Sequence, residues 1–248
     1  MEPFVKHYRE GPVGILEFGN LAGNSLSSKL LEQMSHQLQL LEAETEVKVI
    51  LLQSIGSKAF CGGASFSEMK TLRTEKDATA FFMGFANVIN TIRSLSKFLV
   101  ARVHGKVVGG GVGIVAACDY ILANKNAGVK LSELSIGIGP YVIEPALSRK
   151  IGNTAFAQLS LEAENWKSAE WAAEKGLYTI ITSSEEQLNQ LVDETVKKFA
   201  RYSQKATKDL RNLHWKNTDD WHTLLPGNAE ITARLLLQDE AQKIIKTL

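Results

Sequence analysis

Three stretches of the sequence combine residue types that can do chemistry. The first is Phe60-Cys61-Gly62-Gly63-Ala64-Ser65-Phe66, which follows the apolar run 47–53. The second is Val107-Val108-Gly109-Gly110-Gly111-Val112-Gly113, which follows the apolar run 98–103. The third is Lys130-Leu131-Ser132-Glu133-Leu134-Ser135-Ile136-Gly137-Ile138-Gly139-Pro140, where one carboxylate stands among small and apolar residues.

Each of the first two stretches sits where a strand is expected to give way to a helix. The first-turn amides of a helix have no intrahelical partner. The helix macrodipole adds about half a positive charge there, and glycine lets a ligand or a second backbone approach closely. Two such turns on neighbouring parallel strands can aim two N–H groups at one oxygen. That is an oxyanion hole, worth about 3–4 kcal/mol per donor to a transition state. The same residues are equally compatible with two tight turns, which need positive φ. Gly111-Val112-Gly113-Ile114-Val115-Ala116 also fits G-x-G-x-x-A, a dinucleotide fingerprint. A glycine-rich run in mid-chain matches such patterns by chance.

Glu133 carries the only candidate proton chemistry. A carboxylate in an apolar pocket has its charged form disfavoured, so its pKa rises toward neutral. A general acid or base working near neutral pH needs that. A glutamate at a loop edge is the plainer alternative, and spacing alone does not separate the two. Cys61 has no histidine partner in view and reads as a small buried thiol. His214 and His222 flank Trp215 and Trp221 at a spacing that resembles no metal motif, so no metal site is expected.

The elements that must position these residues follow from periodicity. Val13–Phe18, Val47–Gln53, Phe98–Val103 and Tyr120–Ala123 read as strands. Leu30, Leu31, Met34, Leu38 and Leu41 share one helix face, and Phe81, Phe82, Phe85, Val88, Ile89 and Ile92 share another. Strands separated by helical stripes predict βαβ units and an open, mostly parallel sheet. From about Ile143 the signals are nearly all helical. The reading is an α/β core of about 140 residues with a helical extension in one domain.

Composition agrees and removes several classes of function. The chain has 248 residues, 44% apolar and 22% charged, which suits a folded domain with a substantial core. Its net charge of +1 gives no basic footprint for nucleic acid. Two cysteines cannot build a disulfide framework. Met1–Gly11 lacks the apolar segment of a secretory signal, and the longest weakly polar run, Val107–Cys118, is too short for a membrane span. A cytoplasmic protein that binds neither nucleic acid nor membrane is expected.

Taken together, the motifs resemble the enoyl-CoA hydratase/isomerase, or crotonase, superfamily over about residues 5–205. Asn24-Ser25-Leu26-Ser27 is similar to its N-A-L-N/S step, and Lys58-Ala59-Phe60-Cys61-Gly62-Gly63-Ala64-Ser65 to its K-A-F-x-A/G-G-A-D loop. Val103-His104-Gly105-Lys106-Val107-Val108-Gly109-Gly110-Gly111 is similar to V-x-G-x-A-x-G-G-G, and Cys118–Ala123 to C-D-x-x-x-A. Glu133-Leu134-Ser135-Ile136-Gly137 is similar to P-E-x-x-x-G.

The resemblance implies an α/β fold with a repeated ββα spiral core, acyl-CoA-binding, over residues 1–195. A C-terminal helical trimerisation region follows over residues 196–248. It implies an acyl-CoA thioester substrate, no separate cofactor, and a homotrimer or homohexamer. Ala64 and Gly110 then match the oxyanion-hole amides. Leu26, Gly62, Ser65 and Phe66 match positions lining the CoA moiety, and Glu133 matches a catalytic glutamate.

The departures from the pattern bear on the reaction. Gly113 stands where the hydratases place their other glutamate, and is counted with the substrate-binding positions. Ser65 replaces the usual aspartate and Ser132 the usual proline, and the usual P-x-x-G-G turn reads Pro140-Tyr141-Val142-Ile143-Glu144. A single carboxylate suffices to shuttle a proton between the α and γ carbons, so an isomerase-like double-bond shift is expected first. An enoyl-CoA or methylglutaconyl-type hydratase is the alternative, and a non-catalytic acyl-CoA-binding protein the third. Acyl-pocket side chains are expected from the 67–95 region, with Met69, Leu72, Phe81, Phe82 and Phe85 as candidates.

Overall fold

The structure is a computed structural model that describes residues 2–247. The chain opens with an antiparallel hairpin, β1 (Phe4–Glu10) and β2 (Val13–Gly19), followed by α1 (Ser28–Ala43). Three ββα units come next. The first is β3 (Val49–Ser54), β4 (Ala59–Cys61), the short α2 (Phe66–Met69) and α3 (Glu75–Ser94). The second is β5 (Phe98–Val103), β6 (Lys106–Val108) and α4 (Gly110–Ala117). The third is β7 (Tyr120–Asn124), β8 (Val129–Lys130), a single 3₁₀ turn at Leu134–Ile136, and α5 (Glu144–Leu161). The chain then runs through α6 (Ala169–Glu174), β9 (Ile180–Thr182), α7 (Glu185–Phe199), α8 (Gln204–His214), α9 (Trp221–Leu236) and α10 (Asp239–Thr247).

The repeat sorts its strands into two sheets. First strands join a six-stranded sheet of order β1-β2-β3-β5-β7-β9, in which only β1 and β2 pair antiparallel. Second strands join a three-stranded parallel sheet, β4-β6-β8. Strands β3 and β5 are buried at five of six positions each, as a parallel strand covered on both faces must be.

Local sequence explains the helices. Ser27 caps α1 by accepting from the Leu30 amide, and Leu30, Leu31, Met34, Leu38 and Leu41 form its buried face. Thr74 caps α3, with Glu75 and Asp77 in the first turn and Arg93 in the last, which suits the helix dipole. Helices α1, α3, α4 and α9 pack with one face of the large sheet in the main core. Helix α7 covers the other face, setting Leu188, Val192 and Val196 against Val13, Ile15, Val49, Leu51 and Val100.

Three expectations need correcting. The glycine turns do not leave β3 and β5 directly. Each follows a short second strand, β4 or β6, too brief to show a period of two. Strand β9 interrupts the region whose signals read as nearly all helical. The boundary expected at 195/196 falls inside α7, which continues to Phe199. Helix α9 packs along α3 and buries Trp221, Leu225, Ala229, Ala233 and Leu236.

Candidate active site

A narrow cavity opens between the two sheets' loops and the helices over them. One wall is backbone: Gly62, Gly63 and Ala64 after β4, and Val108, Gly109 and Gly110 after β6. Phe66, Met69, Phe82 and Phe85 close one side, and Ile136, Ile138, Val142 and Ile143 another. Thr232 reaches in from α9. Glu133 is the only titratable side chain in the lining.

The backbone wall has a specific cause. Leu26 donates its N–H to Gly63 O at 2.7 Å and accepts from Ser65 N at 2.9 Å. The Ala64 amide between these two bonds has no acceptor in the backbone network. Gly110 is the first residue of α4, so its amide has no intrahelical acceptor either. Gly109 before it is bonded to Lys130 O at 2.9 Å and adopts φ +52°, a left-handed value that glycine tolerates. Strands β4 and β6 are hydrogen-bonded neighbours, which sets the two turns side by side.

Glu133 lies across the second turn. A Cβ at position 109 would stand 2.8 Å from Glu133 Oε1, so only glycine admits the carboxylate this closely. The residue as a whole is half-buried, but Oε2 is buried and has no hydrogen-bond partner in the protein. Removal from water pushes its pKa up to about 7, partly offset by its own backbone N–H. A carboxyl of this kind is ionised in a useful fraction near neutral pH and can both take and return a proton.

Gly113 lies one turn further along α4, and Ile143 covers it. A Cβ there would stand 2.3 Å from Ile143 Cγ2 and 2.4 Å from its Cβ. No side chain of any kind fits at 113 while Ile143 keeps its place.

The expected site residues divide accordingly. Gly62, Ala64, Phe66, Gly110 and Glu133 meet at the cavity. Leu26, Ser65 and Gly113 lie outside its lining, for three reasons. Leu26 is fully buried and acts through its backbone. Ser65 is the N-cap of α2, where its Oγ accepts from Glu68 N at 3.4 Å. Gly113 is sealed under Ile143. Of the acyl-pocket candidates, Met69, Phe82 and Phe85 line the cavity, while Leu72 and Phe81 belong to the core. Sequence reasoning missed Ile138, Val142 and Thr232. The first two follow Glu133 in an irregular loop with no period, and Thr232 arrives from a helix about 100 residues downstream. Cys61 is buried with its thiol pushed up to about 12, so it is no nucleophile. No cluster of metal-ligating side chains occurs among the described residues.

Known proteins share both the fold and the sequence pattern. The pattern of the enoyl-CoA hydratase/isomerase family matches residues 10–246. An enoyl-CoA hydratase structure from Bacillus halodurans superposes with a TM-score of 0.91 at 21% identity, covering 98% of this chain and 99% of that one. In sequence, the chain is 32% identical over 183 residues to the short-chain-enoyl-CoA hydratase of Clostridium acetobutylicum, spanning 73% of this chain and 69% of that protein. It is 28% identical over 206 residues to a probable enoyl-CoA hydratase of Bacillus subtilis, spanning 83% and 79%. Mouse mitochondrial methylglutaconyl-CoA hydratase matches at 31% over 139 residues, 55% of this chain and 44% of that protein. A ββα spiral with one cavity at its paired turns is the crotonase fold. The chain belongs to the enoyl-CoA hydratase/isomerase family.

Proposed function

We propose that this protein shifts the double bond of an enoyl-CoA thioester, with Glu133 as its single acid and base. The amides of Ala64 and Gly110 donate to the thioester oxygen. The Glu133 carboxylate takes a proton from the α carbon of a 3-enoyl thioester, and the C–H electrons move into an enolate. Charge grows on the oxygen held by the two amides, each worth about 3–4 kcal/mol to that state. The protonated Glu133 then returns the proton to the γ carbon, and the double bond ends between the α and β carbons. Coenzyme A is part of the substrate, and no metal or separate cofactor takes part.

One observation carries this reading. The cavity holds one carboxylate, and position 113 is filled by Ile143 instead of a second acid. Water addition across a double bond is easiest when two carboxylates share the protons of one water. The hydratase alternative draws its support from the names of the relatives in Clostridium acetobutylicum and mouse. A methylglutaconyl-type substrate fits less well, because its extra carboxylate would meet no cationic side chain in the lining.

The test is incubation with 2- and 3-enoyl-CoA thioesters in heavy water. Deuterium exchange at the α and γ positions without oxygen addition supports the isomerase reading, and accumulation of a hydroxyacyl product replaces it with the hydratase. Binding without either supports a non-catalytic role. The homotrimer or homohexamer, with contacts from residues 196–248, is part of the same proposal and is tested by sedimentation. No helix among the described residues is long and apolar enough to cross a membrane.

A further inference from the structure

Two positions of the α4 segment lack a side chain on the side that faces the cavity loops. They are one turn apart, and each is covered by a residue from a different loop. Glu133 covers Gly109 with a carboxylate, and Ile143 covers Gly113 with a branched hydrocarbon. Ile143 is also 2% exposed and lines the cavity beside Val142. One acid and one hydrocarbon side chain thus cover successive turns of the same segment, in a lining whose only hydroxyls are those of Ser132 and Thr232.

We infer that Ile143 is a specificity-determining residue that keeps water away from Glu133 and so commits the site to proton transfer over hydration. The inference rests on the proposed single-base reading and goes further by naming what enforces it. A water needs room and two to four polar partners to reside at a buried site. Glu133 Oε2 offers one unused acceptor. The apolar wall of Ile138, Val142 and Ile143 offers none nearby from its side chains. Ile143→Ala removes the Cγ2 atom that covers Gly113 and opens space on that side. A water entering there can donate to Glu133 and add to a bound 2-enoyl thioester.

Ile143 is the first residue before α5, and its carbonyl accepts from Leu147 N at 3.1 Å. That backbone bond does not depend on the side chain, so substitution leaves the helix start intact.

The experiment compares wild type with Ile143→Val, Ile143→Thr and Ile143→Ala in two measurements. The first needs no turnover: the Glu133 carboxyl is titrated by ¹³C NMR in glutamate-labelled protein, with Glu133→Gln identifying the signal. Its midpoint should fall toward the ordinary glutamate range in Ile143→Ala and stay near wild type in Ile143→Val. The second is the ratio of oxygen addition to deuterium exchange with 2-enoyl-CoA in heavy water. It should rise at least tenfold in Ile143→Ala, less in Ile143→Thr, and not in Ile143→Val.

Thr has the size of Val but sets a hydroxyl in the wall as a polar partner for water, so the Thr-against-Val difference keeps the test alive if Ala fails to fold. An unchanged Glu133 midpoint in the folded Ala and Thr variants overturns the role of Ile143, whatever the activity. Absence of exchange in wild type, with the midpoint still moving in Ile143→Ala, instead overturns the single-base reading while leaving Ile143 as the wall that dries Glu133.

Discussion

Asp119 and Glu133 both carry carboxylates largely removed from water, and their surroundings are opposite. Asp119, just before β7, is bonded to Arg211 Nε at 2.9 Å and to the Leu99 amide at 2.8 Å. Arg211 is 1% exposed and also donates to the carbonyls of Leu95 and Ile92, so each of its three guanidinium nitrogens has an acceptor. This ion pair ties α8 to the start of β5 and the end of α3. Glu133 has no cationic partner in its cavity, and one of its oxygens has no partner at all. A paired buried charge is consistent with architecture, whereas an unpaired one persists where chemistry requires it. Two side-chain carboxylates thus meet opposite surroundings at the two ends of α4, and the proposed reaction uses the unpaired one.

The largest expected effect separates the two by activity. Glu133→Gln should lower deuterium exchange into enoyl-CoA by about 10²–10⁴-fold, the usual worth of a general acid–base group. Asp119→Asn should leave exchange per folded molecule within a few-fold of wild type. Full exchange in Glu133→Gln would place the base elsewhere.

The second effect runs the other way, in stability. Asp119→Ala leaves Arg211 buried without its counter-charge, and breaking such a pair costs about 3–5 kcal/mol. Urea unfolding should show that loss, while Glu133→Gln shows none of it at neutral pH. A cost below about 1 kcal/mol for Asp119→Ala would mean the Leu95 and Ile92 carbonyls alone satisfy Arg211.

The third effect is a pH dependence with a definite sign. The folded-state pKa of Glu133, pushed up to about 7, lies above its ordinary value of 4.5. Between these values the folded chain holds more protons than the unfolded one, so stability falls as pH rises through the window. Above about pH 7 this contribution is flat. Glu133→Gln removes the slope, and its stability relative to wild type should grow by roughly 2–3 kcal/mol between about pH 4 and about pH 8. Denaturant melts of both proteins across that range measure the difference. Proton exchange by wild type should rise over the same interval with a midpoint near 7.

Much of this contrast was legible in the sequence on one side only. Glu133 stood out because it sits in a run of small and apolar residues with glycine nearby. The paired glycine turns at 62–64 and 109–110 were visible because glycine marks close approach, and the long strands and helices because their faces repeat. Asp119 had no such frame: its partner Arg211 lies 92 residues away on another helix. Ile143 was visible as a departure at the Pro140 turn, but its contact with Gly113 depends on how α5 meets α4. The small sheet was missed for a related reason. Strands of two or three residues gain their identity from neighbours, not from their own pattern. Thr232 likewise enters the cavity only through the packing of α9 on α3.

The smallest effect tests whether Arg211 is the whole of Asp119's compensation. Lys150 Nζ donates to Cys118 O at 2.8 Å and to Asp119 O at 3.4 Å, and burial pulls its pKa below the ordinary lysine value. It thus stands beside Asp119 but bonds the backbone, at the C-terminal end of α4 where a cation suits the helix dipole. Lys150→Met keeps the hydrocarbon stem and removes the charge and its bonds. We expect a loss of about 1 kcal/mol, the worth of an ordinary hydrogen bond, with exchange activity unchanged. A loss as large as that of Asp119→Ala would shift the counter-charge from Arg211 to a network of two cations. Asp119 and Glu133 would then differ in the number of charges around them as well as in having a partner.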